Sequence, residues 1–245
     1  MLSRRTRELG EQAELALRDV FARIDKIAAE NTEKVLEAFQ HQRVSAVHLT
    51  GTTGYGYDDR GRDDLDQIFA RVFGTEAALV RMQFVNGTHA LATVLFGILR
   101  PGDVMLSVMG PPYDTLQTAV GIAGNAAGSL KDFGVGYRQV DPLENGGPDL
   151  ETIAAAAAAP EVRLVLIQRS RGYSTRPALT VAQIGQIAQI VHKVNPQAVV
   201  MADNCYGEFV DTLEPTQVGA DIMAGSLIKN PGGGLAPTGG YIAGR

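Results

Sequence analysis

Lys229 stands between an apolar run and a glycine-rich turn, in the stretch Ser226-Leu227-Ile228-Lys229-Asn230-Pro231-Gly232-Gly233-Gly234. A lysine held against packed backbone loses some of its preference for the charged form. It then becomes a usable nucleophile, able to form a Schiff base with a carbonyl compound. The same position also suits an ordinary solvated charge. Three other stretches bear on that choice. The run Val199-Val200-Met201-Ala202 leads into Asp203-Asn204, so a carboxylate follows an apolar segment and can pair with a protonated ring nitrogen, or act as a cap or turn residue. In Phe84-Val85-Asn86-Gly87-Thr88-His89-Ala90, backbone amides and the Thr88 hydroxyl at a helix start suit phosphate, and Asn86 or Thr88 equally suits plain N-capping. Gly110-Pro111-Pro112-Tyr113 offers an aromatic that can stack on a planar ring or simply pack.

In combination these parts are far more specific than any one of them. A phosphate cradle, a ring-stacking aromatic, a strand-end aspartate and a lysine near Ser226 appear in that order. Together they describe a site for pyridoxal 5'-phosphate, which needs an anion handle, an acid partner for its ring nitrogen and an amine for its aldehyde. A glycine-rich loop from His48 to Arg62, carrying Tyr55, Tyr57 and Arg60, either wraps an anionic group or is a surface loop.

The elements that must position these residues follow from periodicity. Short apolar runs at 77–80, 104–108, 136–140, 164–167, 198–202, 221–224 and 240–243 read as seven strands. Helical patterns at 88–99, 113–121, 149–159 and 181–194 connect them, and Asp63 and Asp64 open another helix that runs to Phe73. This alternation predicts an α/β fold with a mostly parallel seven-stranded sheet and helices on both faces. Ligands of such sheets bind beyond the carboxyl ends of the strands, where Asp203 falls. From Arg4 to Gln42 apolar residues recur at the helix period, and Asn31 or Thr32, followed by Glu33, is placed to cap a second helix. This amphipathic arm either covers the core or packs on a second subunit.

Composition narrows the function classes. The chain has 245 residues, 45% hydrophobic and 20% charged, with a net charge of -5. That excludes a disordered chain and offers no basic face for nucleic acid. Cys205 is the single cysteine, which points to a reducing, cytoplasmic setting, and the four histidines lack metal-ligand spacing. Met1-Leu2-Ser3-Arg4-Arg5 leads into a charged helical pattern rather than an apolar signal core, and no apolar run is long enough for a membrane span.

The chain resembles a fold-type-I pyridoxal-phosphate enzyme of the aminotransferase-like kind. Within that superfamily it is similar to the bacterial aluminium-resistance or methionine gamma-lyase-like group, relatives of cystathionine beta-lyase. The resemblance is carried by the segment from Ser226 to Gly244, by Asn86-Gly87-Thr88-His89-Ala90, and by Ala202-Asp203-Asn204-Cys205-Tyr206-Gly207-Glu208-Phe209, and it extends over essentially the whole chain. It implies Lys229 as the lysine that bonds the cofactor and Asp203 as the partner of its pyridinium. Gly87, Thr88 and Ser226 would hold the phosphate and Tyr113 would stack on the ring. Gln168, Ser170 or Arg171 would approach the cofactor's phenolic oxygen or the substrate.

By the same resemblance Tyr55, Tyr57 and Arg60 reach a neighbouring subunit's phosphate site, so the expected assembly is a homo-oligomer, dimer or tetramer, with shared active sites. Residues 1–45 form an N-terminal helical arm and 46–245 the cofactor-binding large domain. Family members continue into a smaller C-terminal domain that supplies an arginine for the substrate carboxylate. This chain reaches only Arg245, so that domain is expected to be absent from it. The implied activity is carbon-sulfur lyase chemistry on a sulfur-containing amino acid, by beta- or gamma-elimination. The alternatives are an aminotransferase, which uses the same parts, and a non-catalytic cofactor-binding fragment.

Overall fold

The computed structural model describes every residue except Met1, Gly56, Asp58 and Ala126; Gly56 and Asp58, in the tyrosine-arginine loop, therefore lie outside the described residues. The chain opens with α1 (Arg4–Ala16) and α2 (Arg18–His41), divided at Leu17, where the backbone leaves helical geometry. There follow α3 (Arg60–Phe73), β1 (Ala77–Arg81), α4 (Gly87–Ile98), β2 (Val104–Val108), α5 (Asp114–Val120) and β3 (Gly136–Val140). Then come α6 (Leu150–Ala157), β4 (Val162–Gln168), α7 (Val181–Val194), β5 (Val199–Asp203), β6 (Ile222–Ser226) and β7 (Gly240–Gly244).

The seven strands form one sheet in the order β1-β7-β6-β5-β4-β2-β3. β7 runs antiparallel to both of its neighbours, and the other pairings are parallel. Alternation along each strand feeds two cores. Leu106, Val108, Val165, Ile167, Val200 and Ala202 face one side, against Ile68, Phe73, Ile153, Ile184 and Ile187 of α3, α6 and α7. Met105, Leu164, Leu166 and Met201 face the other, against Leu91, Leu95 and Leu116 of α4 and α5. Val162 joins the first core and Leu164 the second, because the β2–β4 register shifts between those two residues. Helices therefore cover both faces, as the sequence predicts.

Local signals set the helix ends. Asp59 caps α3 through the Arg62 amide, so the helix starts at Arg60, three residues ahead of the Asp63 start read from the sequence, and Gly74 closes it at φ 64. Thr180 and Gln183 form a capping box at α7.

The arm departs from expectation at Asn31. Neither Asn31 nor Thr32 caps a second helix, because α2 runs through both. Asn31 is buried, and its amide donates to the carbonyls of Phe209 and Asp211, so tertiary partners replace the cap. α1 buries no residue, whereas Ala38 and Val35 of α2 join the core. Among the described residues no helix is long and apolar enough to cross a membrane.

Candidate active site

The carboxyl ends of β4, β5 and β6 and the amino end of α4 open into one cavity of about 720 Å³. Of the residues singled out from sequence, Gly87, Thr88, Tyr113, Asp203, Ser226 and Lys229 all line it, with Ser170 and Arg171 beside them. The topology explains the convergence. β5 and β6 are parallel neighbours, so Asp203 and Ser226 emerge at the same edge of the sheet.

Lys229 sits in the turn after β6, half-buried. Its amide approaches the Ser226 carbonyl at 3.4 Å, and its own carbonyl accepts from Gly233 at 2.9 Å. The turn requires glycine at 232, since a Cβ there would overlap the Leu227 carbonyl, and Gly233 and Gly234 have left-handed φ of 53° and 81°. The Lys229 Nζ lies 4.2 Å from the centroid of the Tyr206 ring, within reach of a cation–π contact. The next residue, Asn230, donates its side-chain amide to the Glu208 carbonyl at 2.9 Å.

Asp203 ends β5 and is 5% exposed. Burial pushes its carboxyl above the usual range, opposed by the Cys205 hydrogen bonds and the Lys229 charge. Its Oδ1 accepts from the Cys205 amide at 3.1 Å. A carboxylate so placed is stabilised by a cation brought into the cavity.

α4 begins at Gly87, capped by Asn86, whose Oδ1 accepts from the His89 amide at 2.9 Å. A Cβ at 87 would stand 3.1 Å from Cys205 Sγ and 3.2 Å from Ser226 Cβ, so glycine lets the helix end approach β6 closely. The Thr88 hydroxyl pairs with that of Thr115 at 2.7 Å. Amides at a helix start beside these hydroxyls suit an anion.

Tyr113 stacks on Tyr173, with ring centroids 5.6 Å apart and planes at 28°, and its hydroxyl donates to the Tyr173 hydroxyl at 3.0 Å. That hydrogen bond pushes the Tyr113 phenol up to about 12. Gln168 is buried but outside the main cavity wall. It borders a smaller cavity of about 200 Å³ on the other side of Tyr113, and donates to the Ser170 carbonyl at 3.1 Å. Tyr55, Tyr57 and Arg60 do not reach the main cavity. The two tyrosines are each 81% exposed and lean on one another at 5.5 Å.

Sequence reading missed four residues of the wall. Arg169 is 3% exposed; its guanidinium donates to Asn204 Oδ1 at 2.9 Å and the Gly207 carbonyl at 2.7 Å, and lies 3.6 Å from Glu214. Cys205 packs between Asp203 and the α4 start, and burial pushes its thiol far up. Tyr206 reaches Lys229 only because its backbone takes a φ of 66°, and Tyr173 reaches Tyr113 from the segment after β4. Only the position of Arg169, two residues after an apolar run, was a signal available in the sequence.

The donor set suits pyridoxal 5'-phosphate. One cavity holds an amine at Lys229, a buried carboxylate that favours a cationic partner, and an amide cradle made close-fitting by Gly87. Comparison with known proteins agrees. The uncharacterized protein YnbB of Bacillus subtilis (strain 168) is 50% identical over 235 residues, which cover 96% of this chain and 56% of that protein. A carbon-sulfur lyase involved in aluminum resistance from Clostridium novyi NT is 52% identical with a TM-score of 0.95, covering 99% of this chain and 58% of that one. The L-methionine gamma-lyase of Pseudomonas putida is 27% identical over 195 residues, 78% of this chain and 43% of that enzyme. The chain thus spans little more than half the length of these nearer relatives, and it shares the fold-type-I architecture. The methionine gamma-lyase family profile matches residues 6–245, and the chain belongs to that family.

Proposed function

We propose that the chain is the cofactor-binding part of a pyridoxal-phosphate-dependent carbon-sulfur lyase acting on a sulfur-containing amino acid. The observation that carries this reading is the meeting of Lys229, Asp203 and the α4 amino end in one cavity. Family membership supports the lyase reading over the aminotransferase, which would use the same residues without an observation of its own. In this reading residues 46–245 are the cofactor-binding domain and 1–45 an arm.

Gly87, Thr88 and Ser226 would hold the phosphate, Tyr113 would pack on the ring, and Asp203 would pair with the ring nitrogen. When bound, pyridoxal 5'-phosphate supplies an aldehyde for the amine and an electron sink for the substrate's α-carbon. Lys229 Nζ takes the α proton as general base, since it is the only lysine amine lining the cavity among the described residues. Cys205 and Ser226 stand close against Gly87, which sets the α4 amino end near β6.

Tyr55, Tyr57 and Arg60 serve a neighbouring subunit in a cytoplasmic homo-oligomer. Their exposure away from the chain's own cavity supports that placement, as does the lack of buried residues on α1. The test is to load the protein with pyridoxal 5'-phosphate and assay sulfur-containing amino acids for thiol, ammonia and oxo acid. Equal release of the three supports the lyase. Accumulation of pyridoxamine phosphate without ammonia overturns it, and a loaded protein without turnover reduces the chain to a binding fragment.

A further inference from the structure

Asn31 lies on α2 and takes no part in lining the cavity, yet it is 5% exposed. Its Nδ2 donates to the Phe209 carbonyl at 3.1 Å and the Asp211 carbonyl at 3.0 Å, while its Oδ1 has no partner. The amide is there for its hydrogens. One turn further along, Lys34 donates to the Thr212 carbonyl at 3.1 Å, with its charge facing buried Glu214. Both side chains grip the segment that follows Asp203.

That segment needs holding. Tyr206 and Phe209 have φ of 66° and 63°, a region that side-chain-bearing residues seldom adopt. Arg169 fixes the Gly207 carbonyl from beneath, and Glu214 Oε1 accepts from the Phe209 amide at 2.8 Å. On the cavity side Asn230, next to Lys229, donates to the Glu208 carbonyl. The consecutive carbonyls of Glu208 and Phe209 are therefore bonded in opposite directions, the first to Asn230 beside Lys229 and the second to Asn31 of α2.

We propose that Asn31, seconded by Lys34, is a positioning residue for the cofactor site: from the N-terminal arm it clamps the 204–212 segment, so that Asp203, the Cys205 amide and the Tyr206 ring keep their places around Lys229. The inference rests on the pyridoxal-phosphate reading of that site. It differs from a plain structural brace because loss of the clamp disturbs cofactor binding more than it disturbs the fold.

Asn31→Leu removes the donors at similar volume. Thr216→Val is the control, since it removes the 2.6 Å hydrogen bond from Thr216 to the Phe73 carbonyl, away from the cavity lining. Each protein is measured for thermal midpoint, for affinity toward pyridoxal 5'-phosphate by its visible band, and for amide exchange across 204–212 without cofactor. Asn31→Leu is expected to weaken cofactor affinity about tenfold and to speed exchange in that segment. Thr216→Val is expected to lower the midpoint with affinity unchanged. An Asn31→Leu protein with a lowered midpoint but wild-type affinity and exchange overturns the proposal. If Asn31→Leu does not fold, Lys34→Met is judged by the same readouts. Wild-type protein that binds no cofactor refutes the function proposed above, and exchange in 204–212 still decides whether the clamp exists.

Discussion

The Lys229 ammonium lies over the ring of Tyr206, with Nζ 4.2 Å from the ring centroid, and Tyr206 offers that face only through its left-handed backbone at φ 66°. A partly exposed cation–π contact is worth about 0.5–1 kcal/mol. Removing the ring frees the amine. In cofactor-free protein, labelling of Lys229 by an amine-reactive reagent is expected to be roughly two- to fivefold faster in Tyr206→Ala than in wild type, with Tyr206→Phe unchanged. Equal rates in all three proteins would remove the ring from the account.

Asp203 gives a prediction in pH. Burial raises its folded pKa, so stability from this group is lost as pH rises through the folded pKa. A cationic partner offsets that loss. The rise in thermal midpoint on adding pyridoxal 5'-phosphate should therefore be larger above that pKa than below it. Asp203→Asn should flatten this dependence and lower elimination by roughly 10²-fold or more while leaving the fold intact.

Glu208 has a similar sign and a clearer window. It is 1% exposed, accepts from the Tyr241 hydroxyl at 2.8 Å, and burial lifts its carboxyl from 4.5 to about 7. Stability due to this group is full below 4.5 and fades as pH passes about 7. Between pH 5 and pH 8 wild type should lose on the order of 2–3 kcal/mol that Glu208→Gln does not lose. Urea titrations at the two pH values measure it, and parallel losses in both proteins would refute it.

Gly232 fixes the turn that presents Lys229. A Cβ there would overlap the Leu227 carbonyl, and backbone cannot yield as a flexible side chain does. Gly232→Ala is expected to lower cofactor affinity by at least about tenfold, whereas Gly233→Ala, with open space around it, pays only its φ of 53°, on the order of 1 kcal/mol. Titration of the visible band separates the two, and equal affinities would show that the turn does not set the lysine.

The seven strands were readable to within two residues because apolar alternation in a two-faced sheet is a local signal. Lys229 and Asp203 were readable for a related reason, as polar residues directly beyond apolar runs. What escaped depends on distant partners. Asn31 beside Thr32 and Glu33 looks like a cap, yet its amide finds acceptors 178 and 180 residues away. Tyr206 and Tyr173 are ordinary tyrosines until a positive φ or a neighbouring ring gives them a place. Gln168 follows the apolar run 164–167 in the sequence and is the last residue of β4, but its side chain turns toward Ser170 and the smaller cavity.

The identity of the cofactor-bonding lysine is the central claim, and the chain has five lysines to choose among: Lys26, Lys34, Lys131, Lys193 and Lys229. Protein loaded with pyridoxal 5'-phosphate can be reduced with borohydride, digested and mapped by mass spectrometry. The account predicts the reduced cofactor on the peptide containing Lys229, with no adduct and no visible band in Lys229→Ala. An adduct fixed on another lysine, or a band that survives Lys229→Ala, would contradict it.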